Sequence, residues 1–346
     1  MNKIIPLVDK TLPVQSPFLP GTNIQFAWDS TSLGYLKTCP RLYQYQMIDG
    51  WGARDESIHL RFGIEYHQAL QDYDDAKAEG QDHAKATHHA VEQLLVRTHD
   101  WVVDTSERPG SLKNRNSLTM AVVWYLEHYR VDAAQTFILD NGKPATELSF
   151  RFELDWGPSA AERSYEPADG KSHPKDEPIL WNSKSQPYLL CGHLDRVVTY
   201  QDEIFVMDRK TTTTTLSNYY FSQFEPNNQM TLYTLASKVI LDSPIKGVII
   251  DAVQILTASA EFQRGITYRT PKTLDEWVGD LQYYFAMAEQ FAVANYWPMN
   301  DTACDKFGWC KFKKICSKDP SVRPQFLKTN FIKQELEERW NPLKPR

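Results

Sequence analysis

The chain has 346 residues, of which 42% are hydrophobic and 12% aromatic, and this composition suits a folded protein with one large or two modest cores. No apolar run reaches about 18 residues, and proline and charge break the N-terminal stretch, so we expect a cytoplasmic protein without a membrane span or signal sequence. The formal net charge of -6 does not favour a nucleic-acid binder, although carboxylates gathered round a metal would mask a local basic surface.

The sequence predicts a mostly helical N-terminal half. Prolines block regular structure at the start, and apolar residues spaced at three and four then indicate helices. The predicted elements are an extended arm over residues 1–27, a helix capped by Ser30 or Thr31 and interrupted near Cys39-Pro40, a helical stretch from Leu60 to Val96 divided near Gly80, and a helix from Leu118 to Tyr129.

The pattern changes at Thr146, where polar and apolar residues begin to alternate as in a half-buried strand. The predicted elements from there are a strand over 147–154, a surface insertion over 157–187, a hairpin of strands Leu189–Tyr200 and Ile204–Lys210, a helix from Asn227 to Val239, strands Gly247–Leu256 and Phe262–Arg269, and a helix from Leu274 to Tyr296. No internal repeat or coiled-coil heptad is present.

The hairpin carries the residues that indicate chemistry. In Asp208-Arg209-Lys210 the side chains of a strand alternate, so Asp208 and Lys210 project together while Arg209 points away. Asp195, in Gly192-His193-Leu194-Asp195, lies on the preceding strand, and the hairpin would bring its carboxylate beside Asp208. Two adjacent carboxylates suit Mg²⁺ or Mn²⁺, and a neighbouring lysine would orient a water or stabilise charge on a phosphate.

A less specific interpretation stays open, because a D-x-K triplet occurs by chance in many chains. Asp195 and Asp208 would then form surface ion pairs with Arg196 or Arg209. That arrangement would explain the charges but not the apolar residues that surround them.

These residues resemble the RecB-like branch of the PD-(D/E)XK nuclease superfamily, and two further motifs extend the resemblance over most of the chain. Gly63-Ile64-Glu65-Tyr66-His67 resembles the branch's G-x-x-x-H motif, which implies that His67 joins Asp195 and Asp208 as a metal ligand. Gln229-Met230-Thr231-Leu232-Tyr233 resembles its Q-x-x-x-Y motif, which implies that Gln229 and Tyr233 contact DNA. The alternatives are a structural histidine, and a packing tyrosine beside a capping amide.

Five cysteines are too few and too unevenly placed for a secreted disulfide scaffold, and three of them lie within residues 304–316, which indicates metal or cluster ligation. The opening Ser30 to Tyr43, with Cys39-Pro40, and the C-terminal cysteines resemble the iron-sulfur subgroup of the same branch. That resemblance implies a [4Fe-4S] cluster on Cys39, Cys304, Cys310 and Cys316, although the spacing of the last three departs from the usual C-x2-C-x5-C. A structural zinc site or free buried thiols are the alternatives, and Cys191 is expected to be a small core residue.

A cluster of lysines near the C-terminus has two interpretations. It would be a basic surface for nucleic acid, or one solvated face of a helix. Its members are Lys306, Lys311, Lys313, Lys314 and Lys318.

The resemblance implies an α/β, restriction-endonuclease-like core, with a mixed central sheet flanked by helices and a small iron-sulfur lobe built from both terminal segments. We expect an N-terminal arm and first cluster-ligand segment over 1–59, a nuclease core over 60–300, and a cysteine segment and tail over 301–346. The expected activity is metal-dependent hydrolysis of DNA, as an exonuclease acting on a free end in repair, recombination or phage DNA processing.

No G-x-x-x-x-G-K-[ST] motif occurs, so a helicase motor or recombination protein would be a partner of the chain, in a prokaryotic or phage-infected cell. Two other functions remain as alternatives. One is a nuclease-like DNA-binding module without activity, and the other is an endonuclease acting on branched DNA or on RNA.

Overall fold

The computed structural model describes residues 15–54, 57–101, 112–154, 187–241, 243–305 and 310–344. These residues form two compact units. The first unit combines residues 1–54, 149–192 and 272–346, and the second combines 55–148 and 193–271, so the units divide the chain differently from the segments predicted above. The predicted insertion over 157–187 lies outside the described residues except for Pro187.

The helices follow the predicted order with small shifts at their ends. In chain order they are α1 (Ser30–Thr38), α2 (Pro40–Tyr43) with a π-helical turn (Gln44–Ile48), α3 (Ile58–Ala78), α4 (His83–Arg97), α5 (Arg115–His128), α6 (Asn218–Ser222), α7 (Asn228–Ile240), α8 (Pro271–Val293), α9 (Lys313–Cys316) and α10 (Arg323–Asn330). The predicted division near Gly80 is confirmed, since Gly80 has a φ of 88° between α3 and α4.

The strands include the predicted hairpin and several short strands that the sequence pattern did not indicate. They are β1 (Ala27–Trp28), β2 (Trp51–Ala53), β3 (Gln135–Thr136), β4 (Thr146–Glu153), β5 (Leu189–Tyr200), β6 (Glu203–Thr212), β7 (Ile245–Ile255), β8 (Ala260–Thr267) and β9 (Phe331–Lys333). None of the helices in the described ranges is long and apolar enough to cross a membrane.

The N-terminal cap of α1 corrects the sequence prediction. Asp29, rather than Ser30 or Thr31, is the N-cap, and its side chain accepts a hydrogen bond from the backbone N–H of Ser32 at 2.8 Å. The Ser32 hydroxyl in turn accepts from the Asp29 backbone N–H, which completes a capping box. The helix ends at Cys39 because Pro40 follows, as predicted.

The sheet is mixed, as expected. In the second unit β5 and β6 pair antiparallel, β6 and β7 pair parallel, and β7 and β8 pair antiparallel, while β3 lies antiparallel on β5. In the first unit β1 pairs parallel with the start of β5. Because β7 lies between two strands, its buried run from Val248 to Ile255 is almost continuously apolar.

The main core of the second unit lies between helices and the sheet. Its buried members come from α3, α4, α5 and β7, and they include Phe62, Tyr66, Leu70, Leu94, Leu118, Val122, Val253 and Ile255. This packing fixes α3 against the sheet, and α3 is the helix that carries the predicted ligand His67.

The first unit has aromatic contacts and a small apolar core of its own. Trp28 stacks on Phe285 with ring centroids 4.6 Å apart, which joins β1 to α8. A separate cluster of Tyr45, Phe312, Ile315, Leu327 and Phe331 has Cys310 and Cys316 packed against it. The short helices α9 and α10 therefore gain their stability from packing, since isolated helices of that length do not persist.

A buried ion pair joins α3 to β6 in the second unit. The Arg209 guanidinium donates to Asp74 Oδ2 at 2.6 Å, and both residues are buried. Arg196 lies 3.7 Å from the same carboxylate oxygen. Arg209 therefore points away from Asp208 and Lys210, as the strand alternation predicts, and it anchors the strand to the helix.

We expect Asp74→Asn to destabilise the metal-free protein by about 3–5 kcal/mol, because it leaves buried arginines without their counter-charge. Chemical denaturation followed by circular dichroism would measure this free energy of unfolding. Asp100→Asn is the matched control, since Asp100 pairs with Arg61 at an exposed position, and it should change the value far less. Equal effects of the two variants would contradict a stabilising role for the buried pair.

Candidate active site

The site begins where the hairpin strands separate. The ladder between β5 and β6 ends at the pair Arg196 and Met207, one residue before Asp195 and Asp208. The Asp195 carboxylate accepts a hydrogen bond from the backbone N–H of Arg209 at 2.9 Å. Both aspartates are buried, at 4% and 1% exposure, so the alternative of surface ion pairs with Arg196 or Arg209 does not hold.

Lys210 lies beside Asp208, as the strand alternation predicts. Its Nζ is 3.0 Å from Asp208 Oδ1 and 2.7 Å from Oδ2. Asp208 Oδ2 is nevertheless a buried oxygen that accepts no hydrogen bond of good geometry. A carboxylate oxygen in that condition is suited to a cation.

His67 extends the site from α3. Its Nδ1 lies 3.3 Å from Asp195 Oδ2, and its side chain is 24% exposed. The helix and the strand thus bring together two of the three residues that the sequence predicts as metal ligands, while Asp208 lies on the adjacent strand with Lys210.

Glu147 is a site residue that sequence reasoning missed. One carboxylate oxygen of Glu147, one imidazole nitrogen of His67 and one carboxylate oxygen of Asp195 all lie within 4.8 Å of one another. The strand pattern treats Glu147 as an ordinary polar position at the start of β4. The sequence offers one weak signal for Glu147, which is its charge at the edge of an alternating strand.

The charges of these groups are strongly coupled. Although burial raises the pKa of Asp195, the imidazole of His67 and the ammonium of Lys210 outweigh it and hold that pKa well below its usual range. For Asp208, burial and the nearby Asp195 carboxylate raise the pKa, against the opposing effect of Lys210. Burial lowers the pKa of His67, but Asp195 overcomes this and leaves it raised. Carboxylates with opposed pKa shifts beside a lysine are typical of functional sites.

Gln229 and Tyr233 lie on one face of α7, where Gln229 contacts the lysine and Tyr233 contacts Gln229. Lys210 Nζ donates to Gln229 Oε1 at 3.0 Å, and Gln229 Nε2 donates to the Tyr233 hydroxyl at 2.9 Å. The side chain that caps α7 is Asn227, so Gln229 is not a capping amide. Two partners, Asp208 and Gln229, therefore hold the ammonium group of Lys210 in place.

Comparison with known proteins decides the family. The family model of the PD-(D/E)XK nuclease superfamily matches residues 30–317, which is most of the chain and includes every side chain described above. The chain belongs to the PD-(D/E)XK nuclease superfamily. Members of this superfamily use divalent metals, and the nitrogen and oxygen donors of His67, Glu147 and Asp195 fit such an ion.

Other comparisons add little. No curated protein matches the chain. A crystal structure from Eubacterium rectale described as "Putative exonuclease" is similar to it with a TM-score of 0.44 and 10% identity, over 81% of this chain and 86% of that chain.

The threonines after Lys210 have partners within the nuclease itself. Lys113 Nζ donates to the Thr211 carbonyl at 3.0 Å and to its hydroxyl at 2.8 Å. Lys113 is 5% exposed, and burial lowers its pKa to about 8. The Thr212 hydroxyl accepts from the backbone N–H of Thr214 at 2.9 Å. Thr211 thus ties the end of β6 to the segment before α5.

The four predicted cluster cysteines lie in the first unit, and Asn300 lies beside two of them. The Asn300 backbone N–H donates to Cys39 Sγ at 3.3 Å, and Cys304 Sγ donates to the Asn300 carbonyl at 3.9 Å. Burial raises the pKa of Cys304, and Cys310 and Cys39 raise it further. Among the residues described, however, no three thiols come within 4.8 Å of one another.

Cys191 stands apart as a core residue, as predicted. It is 1% exposed in a cluster with Ala27, Leu189 and Leu343, and burial raises the pKa of its thiol to about 12.

The C-terminal lysines contact side chains of their own segment. Lys313 pairs with Asp305, and Lys311 and Lys318 lie over the rings of Phe312 and Phe326. Lys306 is outside the described residues. A nucleic-acid surface here stays a prediction.

We expect Gln229→Leu to lower kcat for DNA cleavage by roughly tenfold to a hundredfold, because Lys210 loses a charge-assisted hydrogen bond of about 1.5–3 kcal/mol. Steady-state kinetics with Mg²⁺ would measure kcat and KM separately. Gln223→Leu is the control, since the side chain of Gln223 donates within its own turn, to the Tyr220 carbonyl. A rise in KM with kcat unchanged would instead support direct DNA contact by Gln229.

Proposed function

We propose that this nuclease hydrolyses phosphodiester bonds of DNA with Mg²⁺ or Mn²⁺ and that Asp195, Asp208 and Lys210 are its catalytic residues. The observation that supports it is the buried pair of aspartates at the strand separation, with the lysine held against one of them. The two buried carboxylates repel each other, and the pKa of Asp208 stays raised by burial and by Asp195 even beside Lys210, which makes a purely structural role a poor explanation.

The geometry suggests a different role for each of these residues. Asp195, Asp208 and His67 would hold the divalent ion, which when bound lowers the pKa of a water and neutralises phosphate charge. Lys210, fixed by Asp208 and Gln229, orients the attacking water or stabilises negative charge on the phosphate. The water gives up one proton to solvent as its oxygen bonds to phosphorus, the phosphorus–oxygen ester bond breaks, and the leaving oxygen takes up a proton from solvent.

We also propose that the nuclease prefers DNA with a free end. This preference rests on the resemblance to RecB-like nucleases, as does the place of the enzyme in repair, recombination or phage DNA processing. A helicase or recombination protein is the partner that this resemblance favours.

Lys210→Ala should reduce DNA cleavage at least about a hundredfold, since the variant loses the group that acts on the water and the phosphate. Wild type and variant would be incubated with end-labelled linear and with circular DNA, in Mg²⁺, Mn²⁺ or EDTA. Lys246→Ala is the matched control, because Lys246 pairs with Glu203 at an exposed position of the sheet.

The products separate the alternatives. Mononucleotides from linear DNA, with circular DNA intact, support the exonuclease, whereas cleavage of the circle supports an endonuclease. If wild type binds DNA and cleaves neither substrate, the chain is a binding module and the proposal is wrong.

We also propose that Cys39, Cys304, Cys310 and Cys316 bind a [4Fe-4S] cluster in a lobe formed by segments 1–59 and 301–346, beside a nuclease core over 60–300. Asn300 contacts both Cys39 and Cys304, although the two cysteines come from distant parts of the chain.

Protein purified without oxygen should contain about four irons with matching sulfide and absorb broadly in the visible range, and Cys310→Ser should lose both. Elemental analysis and absorbance spectra would measure this, with Cys191→Ala as the control that keeps its iron. One zinc without sulfide would identify the zinc site instead. If the protein contains neither iron nor zinc, the four thiols are free.

A further inference from the structure

The short helix α6 carries a tyrosine that is almost fully exposed. The side chain of Tyr219 has no hydrogen-bond or ring partner in the part of the chain that the structure describes, and the residue is 87% exposed. Its aromatic neighbours Tyr220 and Phe224 are buried. A single exposed aromatic residue is common on protein surfaces, so the meaning of Tyr219 depends on where α6 lies.

The register of the sheet places α6 beside the active site. Asp208 pairs with Ile250 on β7, and Ile250 pairs with Gly265 on β8, so the three residues form one row across the sheet. Side chains of such a row project to the same face. A Cβ atom added to Gly265 would overlap the ring of Phe221 in α6. Phe221 therefore covers this row on the face to which Asp208 and Lys210 project, which we call the catalytic face.

The same row gives the separation between α6 and the catalytic residues. Neighbouring strands lie about 4.8 Å apart, so Gly265, two strands away from β6, lies about 10 Å from Asp208. Helix α7 shares the catalytic face, since its Gln229 contacts Lys210. Successive phosphates of a DNA strand advance by about 3.4 Å, so a strand cleaved at Asp208 would reach α6 within about three nucleotides.

Contacts at both ends hold α6 in place, although a helix of five residues does not persist alone. Before the helix, the backbone N–H of Leu216 donates to Gln254 Oε1 on β7 at 3.2 Å. After it, Arg269 donates to the Phe224 carbonyl at 2.8 Å. The structure therefore presents Tyr219 from a fixed position.

Tyr219 and Phe221 lie on opposite sides of α6, because two residues of a helix are about 200° apart. Phe221 faces the sheet, so the Tyr219 ring faces solvent on the catalytic face. An aromatic ring held in this way can stack on a nucleic-acid base of any sequence. In a duplex the bases already stack on one another, and only an unpaired base is free to meet the ring.

We infer that Tyr219 stacks on an unpaired base of single-stranded DNA, a few nucleotides from the phosphodiester bond that is cleaved. This assigns single-stranded DNA as the substrate class. It rests on the proposed function, since it concerns the same DNA at the same active site. Tyr219 would bind the substrate and take no part in the chemical step.

The test measures binding in Mg²⁺ with the Lys210→Ala variant as parent, so that the DNA stays intact. Fluorescence anisotropy with a labelled thymidine oligonucleotide of about 12 nucleotides would give Kd. Adding Tyr219→Ala should raise Kd roughly 5-fold to 100-fold, because one stacked base is lost. Adding Tyr219→Phe should leave Kd within about twofold of the parent, because the ring stacks without its hydroxyl.

Steady-state kinetics in the active enzyme give an independent readout. Tyr219→Ala alone should raise KM for single strands while kcat stays within about twofold, since stacking is lost equally from the bound substrate and the transition state.

Two controls separate stacking from other effects. Tyr268→Ala should leave Kd unchanged, because Tyr268 is also exposed but follows Thr267, whose row runs through Val248 to Val206, away from Lys210. A strand of the same length with abasic sites should bind the parent and the Tyr219→Ala protein equally, since it has no base to stack.

The outcomes distinguish this inference from the nuclease proposal. Unchanged affinity of Tyr219→Ala for the thymidine oligonucleotide overturns the inference, and so does an equal loss of affinity for the abasic strand, which would indicate a backbone contact or a displaced helix. A wild type that cleaves duplex DNA but binds no single strand also overturns it and leaves the nuclease proposal standing. If wild type neither binds nor cleaves either form of DNA, both fail.

Discussion

The hydrogen bond from the Arg209 backbone to the Asp195 carboxylate is the constraint on which the site depends. Once the ladder between β5 and β6 ends, the N–H of Arg209 no longer pairs with the backbone of β5, and a buried N–H requires an acceptor. Asp195 supplies it from the opposite strand. Because Arg209 lies between Asp208 and Lys210, this one bond fixes the first aspartate relative to both residues of the second strand.

The Arg209 side chain extends that constraint to α3. Its ion pair with Asp74 fixes the helix, and His67 lies about two turns earlier on the same helix. Strand alternation therefore lets three consecutive residues serve two purposes. Asp208 and Lys210 build the site, while Arg209 positions the helix whose histidine completes it, so changes to the buried pair should reach the ligands through the backbone.

Regular patterns could be predicted from the sequence, and local exceptions could not. The hairpin, α3 and α7 follow from hydrophobic period, and the placement of Asp208 and Lys210 follows from strand alternation. Glu147 was missed because a positive φ within a strand leaves no periodic signal. The contact of Gln229 with Lys210 depends on how α7 packs against β6, and tertiary packing of that kind is not encoded in local spacing. The short helices near the cysteines were missed for the same reason.

The folded chain holds the carboxylates of this site close together although their charges repel each other. Asp195 and Asp208 are buried close enough for each to influence the other's charge, and burial raises the pKa of Asp208. Without a metal, the contact of His67 with Asp195 at 3.3 Å outweighs the effect of burial on that carboxylate, whereas the contact of Lys210 with Asp208 at 2.7 Å offsets only part of it. The folded state should therefore gain stability from any cation that binds it and not the unfolded chain. A bound metal would therefore support both catalysis and folding. This explains why buried carboxylates occur here, although apolar residues would fill the same space at a lower cost in free energy.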